Sequence, residues 1–263
     1  MTTGSVVAPA WWNSRVPAFH IDPAGIRDHR LEFSAQESHH LRVRRIRPDE
    51  VIDAIDGEGT GYRVRLVSLE GDTAIGEILE VCVEAGESVC HLHLAAAMIK
   101  GQRFDTIVEK ATEIGVHAIH PLTTARSVVK GEGKLERWQR VALAAAKQCG
   151  RSRIPEISAA VPLKDAAAGF NASGTAILVA DPRAPQSLDT IWAEAQRVAL
   201  FVGPEGGFDE NELDCLRGYS ARSFVWGHRI LRADTAAIVL SALVLDQAQR
   251  AVSVTTNLTS QGA

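Results

Sequence analysis

Two loops near the C-terminal end of the chain hold the residues best suited to bind a ligand and to carry chemistry. The first loop reads Gly203-Pro204-Glu205-Gly206-Gly207-Phe208 and follows an apolar segment at 198–202. Its glycines let a ligand approach the backbone without obstruction by Cβ atoms, and Pro204 stiffens the turn. Because ligands in open α/β sheets bind beyond the carboxyl ends of strands, this loop is a candidate binding site.

The residues of this first loop limit the ligands that it can take. The loop matches neither of the glycine patterns that cradle phosphates, and Glu205 would repel a polyphosphate. A ligand that is neutral or cationic near the loop, with hydroxyl and amine donors, fits better, as adenosine carrying a sulfonium does. The alternative is a tight connection in which the glycines serve backbone geometry alone.

The second loop contains the candidate catalytic cation. It runs from Gly227 to Ala237 and includes Leu231-Arg232-Ala233-Asp234-Thr235-Ala236, after which an apolar helix begins. An arginine in the expected ligand crevice is poorly placed for simple solvation, so we expect Arg232 to lie in the active site. Asp234 or Thr235 is expected to cap the helix, and a capping acid needs no catalytic role.

The elements that must position these loops alternate between strands and helices after about residue 87. Apolar segments at 92–99, 176–180, 198–202 and 223–226 predict strands, and 3.6-residue periodicity predicts helices between and after them. The predicted helices are 104–114, 135–148, 188–195, one from Asp209, and 235–250. Such alternation indicates a mostly parallel sheet covered by helices, with the two loops at its carboxyl edge.

The first third of the chain predicts a separate small β-barrel. Segments 51–55, 62–69 and 74–83 are rich in Val and Ile and are separated by Gly/Asp turns. One helix is expected near His39, since Ser34 and Glu37 have capping-box spacing. We therefore divide the chain into a barrel at 1–86, an α/β domain at 87–254 and a disordered tail at 255–263.

Charge is distributed unevenly along the chain. The net charge is −4, yet between Lys100 and Arg153 there are 11 Lys and Arg against 5 Asp and Glu. Four arginines are also packed into positions 42–47. A solvated face is one explanation of such a run, and a surface that contacts the phosphates of a nucleic acid is the other. The residues that would bind such a partner are His39, Arg42, Arg44, Arg45, Arg47, Arg126, Lys130, Arg151 and Arg153.

Composition restricts the class of protein further. Hydrophobic residues make up 46% and charged residues 23% of the chain, which is typical of globular proteins. No apolar run reaches bilayer length, the start lacks a signal-peptide pattern, and the four cysteines form no CxxC pair. We expect a cytoplasmic protein with no membrane segment and no metal site.

The motifs together resemble a known family. The GPEGGF loop, the ILRADTAA loop, Lys110-Ala111-Thr112-Glu113-Ile114-Gly115-Val116, His39-His40-Leu41-Arg42 and Arg126-Ser127 are similar to the ribosomal RNA small subunit methyltransferase E family of the SPOUT class. The similarity covers nearly the whole chain in the same order. The family usually has Glu at the position of Asp234, so the shorter acid here departs from its pattern.

The resemblance implies a fold and an activity. It implies a PUA-like N-terminal β-barrel, a C-terminal trefoil-knotted parallel sheet with helices on both faces, and a homodimer. Composition and periodicity do not predict a knot, which general topology rules treat as a rare exception. The implied activity is S-adenosylmethionine-dependent methylation of N3 of a uridine in 16S ribosomal RNA of the small subunit.

The resemblance and the loops together give candidate roles. Arg232 would stabilise the developing uridinate, and Glu205 or Asp234 would accept the N3 proton. The expected cofactor contacts are Leu178, Val202, Gly203, Pro204, Glu205, Gly206, Gly207, Ile230, Leu231, Thr235 and Ala236. Two alternatives stay open: a non-enzymatic RNA-binding assembly factor, and another small-molecule enzyme whose glycine loop holds a nucleotide.

Overall fold

The computed structural model describes residues 11–12, 17–127, 134–192 and 195–260, with side chains in the last helix described as far as Val252. The chain divides into two compact units. The first contains Met1–Glu87 and Leu143–Ile154, and the second contains Ser88–Ala142 and Pro155–Ala263. The first unit therefore includes a later stretch of chain that a single division at residue 86 leaves out.

The first unit is built on a six-stranded sheet with one helix. Its strands and helices are β1 (Phe19–His20), a 3₁₀ turn (Pro23–Gly25), β2 (Ile26–Arg27), β3 (Arg30–Phe33), α1 (Ala35–Val43), β4 (Val51–Ile55), β5 (Thr60–Glu70) and β6 (Thr73–Val83). The strand order is β1-β4-β5-β6-β3-β2, antiparallel except for the β1–β4 pair. Phe19, Phe33, Leu41 and Val64 are buried in its core.

The predicted helix of the first unit is confirmed together with its cap. α1 follows Ser34, whose hydroxyl accepts a hydrogen bond from the Glu37 backbone N–H at 3.2 Å. This bond satisfies one of the backbone donors that the first turn of a helix leaves unpaired. The helix ends at Val43, so Arg44, Arg45 and Arg47 follow it in an exposed turn.

The second unit is an α/β structure with a parallel sheet. Its strands are β7 (His91–Ala97), β8 (Ala118–Thr123), β9 (Glu156–Ile157), β10 (Val161–Pro162), β11 (Ala176–Ala180), β12 (Arg197–Val202) and β13 (Arg222–Phe224). Its helices are α2 (Arg103–Ile114), α4 (Leu163–Ala172), α5 (Leu188–Ile191), α6 (Glu210–Gly218) and α7 (Ala233–Ser260), while α3 (Leu135–Cys149) begins in this unit and ends in the first. The order is β10-β8-β7-β12-β11-β13, with β9 beside β8.

Helices cover both faces of this sheet, as predicted. Phe201 and Val179 pack in one cluster with residues of α4 and α6, whereas α7 contacts β7 and β12 and packs on α2. The neighbouring residue Leu200 is also fully buried. Successive side chains of a strand point to opposite faces, so burial of both explains why these strands are continuously apolar.

Three predicted bounds differ from the structure. The helix expected at 188–195 is the short α5, and the helix expected from Thr235 already begins at Ala233. The disordered tail expected at 255–263 is wrong as far as Ser260, because α7 continues to that residue. Once a long helix has formed, each further residue adds a hydrogen bond at little cost, which can outweigh the poor helix propensity of Thr and Asn.

Candidate active site

Three neighbouring strands of the second unit end side by side, and the loops that follow them enclose a cavity. Ala180, the last residue of β11, pairs with Val202 on β12 and with Phe224 on β13. The loops begin at Asp181, Gly203 and Val225, and residues of all three line a cavity of about 730 Å³. Its volume and its place beyond the carboxyl ends of parallel strands are typical of a small-molecule site.

The glycine loop after β12 folds tightly on itself. The Gly207 N–H donates to the Pro204 carbonyl at 2.8 Å, and Gly207 has a φ of +67°, which favours glycine. A Cβ atom on Gly203 would lie 3.1 Å from the Phe208 nitrogen and 3.2 Å from two backbone atoms of Gly207. Gly203 therefore permits a close approach within the loop, and Gly207 permits the turn.

The end of the glycine loop is fixed by the helix that follows. Asp209 caps α6 in a complete capping box, since it accepts from the Glu212 N–H at 2.8 Å and donates its own N–H to Glu212 at 2.9 Å. The other Glu212 carboxylate oxygen accepts from the Ala125 N–H at 2.8 Å. The glycine loop and the loop after β8 are therefore attached to the same carboxylate.

Most of the expected cofactor contacts line the cavity. Those that do are Val202, Gly203, Pro204, Glu205, Gly207, Ile230, Leu231 and Ala236. Those that do not are Leu178, which is buried within β11, Gly206, and Thr235, which is exposed on α7. Residues at the ends of the strands and in the loops thus surround the cavity. Leu178, in the middle of β11, and Thr235, on an exposed side of α7, do not line it.

The three candidate catalytic residues lie in different surroundings. Glu205 lines the cavity and forms an ion pair with Arg103 at 2.7 Å. Arg232 is exposed, does not line the cavity, and has no side-chain hydrogen bond or ion pair among the described residues. Asp234 lies in the first turn of α7 and accepts from the Thr235 N–H at 3.0 Å. The expected capping position is wrong, because α7 begins one residue before Asp234.

Two stretches of the cavity wall were not anticipated from the sequence. The loop after β11 contributes Asp181 to Ala184, within which Arg183 contacts Asp181 at 3.2 Å and Glu210 at 2.6 Å. The end of the strand predicted at 223–226 contributes Trp226, whose exposed fraction is 41%. An available signal was the position of Asp181, directly after the predicted strand at 176–180.

Exposed basic residues lie in the second half of α1 and in the turn after it, as the sequence predicts. His39, Arg42, Arg44, Arg45 and Arg47 are all exposed. Arg42 is partly engaged, since it forms an ion pair with Asp72 at 3.0 Å and donates to the Gly71 carbonyl. Such exposed pairs are weak and open to exchange, so the cluster retains positive charge for a polyanion.

The remaining expected RNA contacts are in other settings. Arg151 is 3% exposed, and its guanidinium donates to both carboxylate oxygens of Glu87, at 2.9 Å in the shortest bond. A buried, paired guanidinium cannot reach a phosphate, so the structure corrects the expected role of Arg151. Arg153 is partly exposed and paired with Glu84, Arg126 is exposed beside Gly206, and Lys130 lies outside the described residues.

A histidine cluster lies at the other end of the strands from the cavity. His93 contacts His120 at 3.2 Å between ring nitrogens, and His91 stacks on His117 with ring centroids 4.2 Å apart. Burial, with smaller contributions from His120, His91 and Arg197, lowers the pKa of His93 to about 4. Within the residues that the structure describes, no group of three or more His, Cys, Asp or Glu could hold a metal ion.

Among the described helices, none combines the length and apolar character that crossing a bilayer requires. This includes α7, the longest helix, whose residues from Ala233 to Ser260 alternate between buried and exposed positions where their side chains are described.

Comparison with known proteins places the chain in a family. Residues 86–245 match a model described as the RNA methyltransferase domain, and residues 33–79 match the RNA methyltransferase PUA domain. Ribosomal RNA small subunit methyltransferase E of a Synechocystis species is 30% identical over 230 residues, which cover 85% of this chain and 75% of that protein. The protein of that name from Mycobacterium tuberculosis is 32% identical over 214 residues, covering 76% and 80%.

Solved structures agree with the sequence relatives. Ribosomal RNA small subunit methyltransferase E from Neisseria gonorrhoeae, crystallised with S-adenosyl methionine, has a TM-score of 0.80 and 28% identity, covering 87% of this chain and 96% of that one. A Legionella pneumophila protein in complex with the cofactor SAM has a TM-score of 0.74 and 28% identity, covering 87% and 97%. The chain belongs to the ribosomal RNA small subunit methyltransferase E family.

Proposed function

We propose that the protein transfers a methyl group from S-adenosylmethionine to N3 of a uridine in 16S ribosomal RNA. The observation that carries this proposal is the cavity formed by three consecutive loops at the carboxyl ends of β11, β12 and β13. The Neisseria gonorrhoeae relative, with 28% identity and a TM-score of 0.80, was crystallised with this cofactor. A shared fold and a cavity of suitable size support the same ligand here.

The residues around the cavity fit such a cofactor. A Cβ atom on Gly207, which lines the cavity, would meet no atom within 4 Å, so the backbone of the glycine loop is open there to an adenosine or a methionine group. Asp181 and Glu205 place carboxylates in the wall, and Pro204 and Leu231 add apolar surface. When bound, the cofactor supplies an electrophilic methyl group on a cationic sulfonium, a charge that these carboxylates favour and that a polyphosphate does not have.

Proton removal from the target base is the chemistry that the protein itself must provide. Methylation of uridine at N3 requires that the N3 proton leave, and Glu205 is a carboxylate in the cavity wall that could accept it. Arg232 is unpaired and exposed on the adjoining loop, where it could stabilise negative charge on the uracil oxygens. Asp234 is the weaker candidate for the base, since its carboxylate already accepts from a backbone N–H.

Binding of the RNA would rely on phosphate contacts. The exposed basic residues of α1 and of the turn after it support this, as does the match of residues 33–79 to an RNA methyltransferase PUA domain. Only 5% of the residues are aromatic, so extensive base stacking is not favoured. We therefore expect recognition of a structured small subunit, with affinity that falls as salt rises.

We also infer a homodimer that acts in the cytoplasm. α7 leaves Ile238, Val239 and Leu243 only half-buried, and Ala242 between them is exposed. These residues lie along one side of the helix and form an apolar strip that a second copy could cover. Light scattering after size exclusion tests this inference, with a mass of about twice 28.3 kDa expected and a monomer mass contradicting it. The trefoil knot stays a prediction.

The test of the proposed function uses labelled cofactor. Incubation with methyl-labelled S-adenosylmethionine should transfer label to small ribosomal subunits, and more to subunits than to naked 16S RNA. Calorimetry should show binding of S-adenosylmethionine and none of ATP. Binding of RNA with neither cofactor binding nor transfer would instead indicate a non-enzymatic assembly factor, and binding of ATP would indicate a different enzyme.

A further inference from the structure

Two exposed arginines outside the cavity wall contact the glycine loop. Arg103 is the first residue of α2, just beyond β7, and its Nη1 donates to Glu205 Oε1 at 2.7 Å. Arg126 follows β8, and its Nη1 donates to the carbonyl of Gly206. Since Glu205 and Gly206 are consecutive, the two guanidinium groups contact the same short stretch of the loop.

The positions of these arginines follow from the order of the sheet. β8, β7 and β12 are neighbours and parallel, so their carboxyl ends lie along one edge. Lys100, in the loop between β7 and α2, adds a third exposed cation. Positive charge therefore lies along this carboxyl edge of the sheet, beside Glu205 in the cavity wall.

The contact between Arg103 and Glu205 is one that a stronger anion can replace. The Arg103 side chain is 44% exposed and the Glu205 side chain 50% exposed, and a single bond joins them. Exposed pairs of this kind contribute little to stability, whereas a phosphate can engage a guanidinium with two strong hydrogen bonds. The buried pair of Arg151 and Glu87, in contrast, has no such freedom.

The backbone that carries Arg103 is itself held firmly. Asp105, in the first turn of α2, forms an ion pair with Arg137 at 2.5 Å and accepts from Trp138 Nε1 at 3.1 Å. Phe104, between Arg103 and Asp105, is 1% exposed and packs against Trp138. The Arg103 side chain can thus change partner without movement of the helix.

We propose that Arg103 and Arg126 bind backbone phosphates of the RNA beside the target nucleotide, and that Arg103 leaves Glu205 for a phosphate when the RNA binds. Arg103 is a positioning residue in this scheme. The Glu205 carboxylate then loses its cation and is free to accept a proton only when RNA is present. This inference rests on the proposed function and adds to it the contact that couples RNA binding to the candidate base.

Competition between Glu205 and the phosphate gives the proposal a distinctive consequence. If both anions use the same guanidinium, removal of the Glu205 charge should strengthen RNA binding. A purely structural ion pair predicts the opposite, because its loss would loosen the glycine loop and weaken binding. Glu205→Gln should not change RNA affinity once Arg103 is removed, because the Glu205 carboxylate and the RNA phosphate then no longer share a guanidinium.

The experiment measures binding of 16S RNA by filter retention, with S-adenosylhomocysteine present, at several salt concentrations. Arg103→Gln and Arg126→Gln should each weaken binding about 3- to 10-fold and lower the slope of log affinity against log salt by about 0.7–0.9. Glu205→Gln should tighten binding about 2- to 5-fold, and the double variant of Arg103 and Glu205 should match Arg103→Gln. Arg103→Lys should keep the slope.

Controls separate this inference from folding and from the proposed function. Arg217→Gln removes an exposed, ion-paired arginine of α6 in the same unit and should leave the slope unchanged. Thermal melts and circular dichroism spectra that match those of the wild-type protein show that each variant is folded. An unchanged slope in Arg103→Gln, or weaker binding in Glu205→Gln, overturns the inference while methyl transfer by the wild-type protein stands. Absence of transfer by the wild-type protein, with the slopes changed as expected, contradicts the proposed function alone.

Discussion

Two glycines of the same loop should respond very differently to the same substitution. A Cβ atom at Gly203 would lie 3.1–3.2 Å from backbone atoms of Gly207 and Phe208. A Cβ atom at Gly206 would lie equally close, 3.1 Å, to Cδ of Arg126, which is part of a flexible exposed side chain. A backbone cannot rotate away as a side chain can, so Gly203→Ala must open the loop and Gly206→Ala need not.

The expected loss of cofactor affinity in Gly203→Ala follows from the short distances between the added Cβ atom and the loop backbone. Ordinary van der Waals contact begins near 3.4 Å, so the loop must give way by a few tenths of an ångström at three atoms. Inserted methyl groups in tightly packed surroundings cost about 1–3 kcal/mol. Since Gly203 lines the cavity, we expect most of that cost to appear as lost cofactor affinity, about 5- to 150-fold at 1.4 kcal/mol per tenfold.

Calorimetric titration with S-adenosylmethionine measures both variants against the wild-type protein. Gly206→Ala should bind within about twofold of wild type, and thermal melts should show that both variants remain folded. Equal affinities for Gly203→Ala and the wild-type protein would refute the assignment of the tight loop to the cofactor site. Equal losses in the two variants would refute the distinction between backbone and side-chain crowding.

Three further predictions concern other parts of the molecule. Glu87→Gln should destabilise the protein by about 3–5 kcal/mol in urea unfolding, since it removes the carboxylate that pairs with the buried Arg151 guanidinium, and a loss below 1 kcal/mol would contradict this. Because the pKa of His93 is lowered from 6.5 to about 4, the folded state binds fewer protons than the unfolded state between those values. Stability in urea unfolding should therefore fall as pH drops from 6.5 towards 4, by at most about 3 kcal/mol. His93→Gln should flatten this dependence, and an equal dependence in the variant and the wild-type protein would contradict the role of His93. Arg232→Ala should abolish methyl transfer while cofactor affinity stays within a few fold, and a collapse of affinity would make Arg232 a binding residue instead.

Local sequence patterns predicted the elements whose partners lie nearby, and missed those that depend on the sheet. β8 was missed because Pro121 interrupts it, and proline is usually excluded from central strands. The structure explains the exception. On the side away from β7, β9 pairs with Ala118 and Ile119 and β10 pairs with Leu122 and Thr123, so Pro121 faces the gap between them.

The part of the site that lies in one continuous segment was predictable from the sequence. The glycines and Pro204 of the loop after β12 indicated a ligand site, and the cavity includes most of that loop. The contribution of Asp181 and Arg183 was indicated only by the position of Asp181 after the predicted strand at 176–180, because it also depends on β11 lying between β12 and β13. The burial of Arg151 was hidden for a similar reason, since its partner Glu87 is 64 positions away in the chain.

Identification of the methylated nucleoside tests the central claim most directly. Small subunits that lack the modification are incubated with the wild-type protein and S-adenosylmethionine, and their 16S RNA is digested and analysed by mass spectrometry. We predict N3-methyluridine at a single position, absent when the cofactor is omitted. A methyl group on a ribose 2′ oxygen or on a carbon of the base, or no added methyl group, would contradict it.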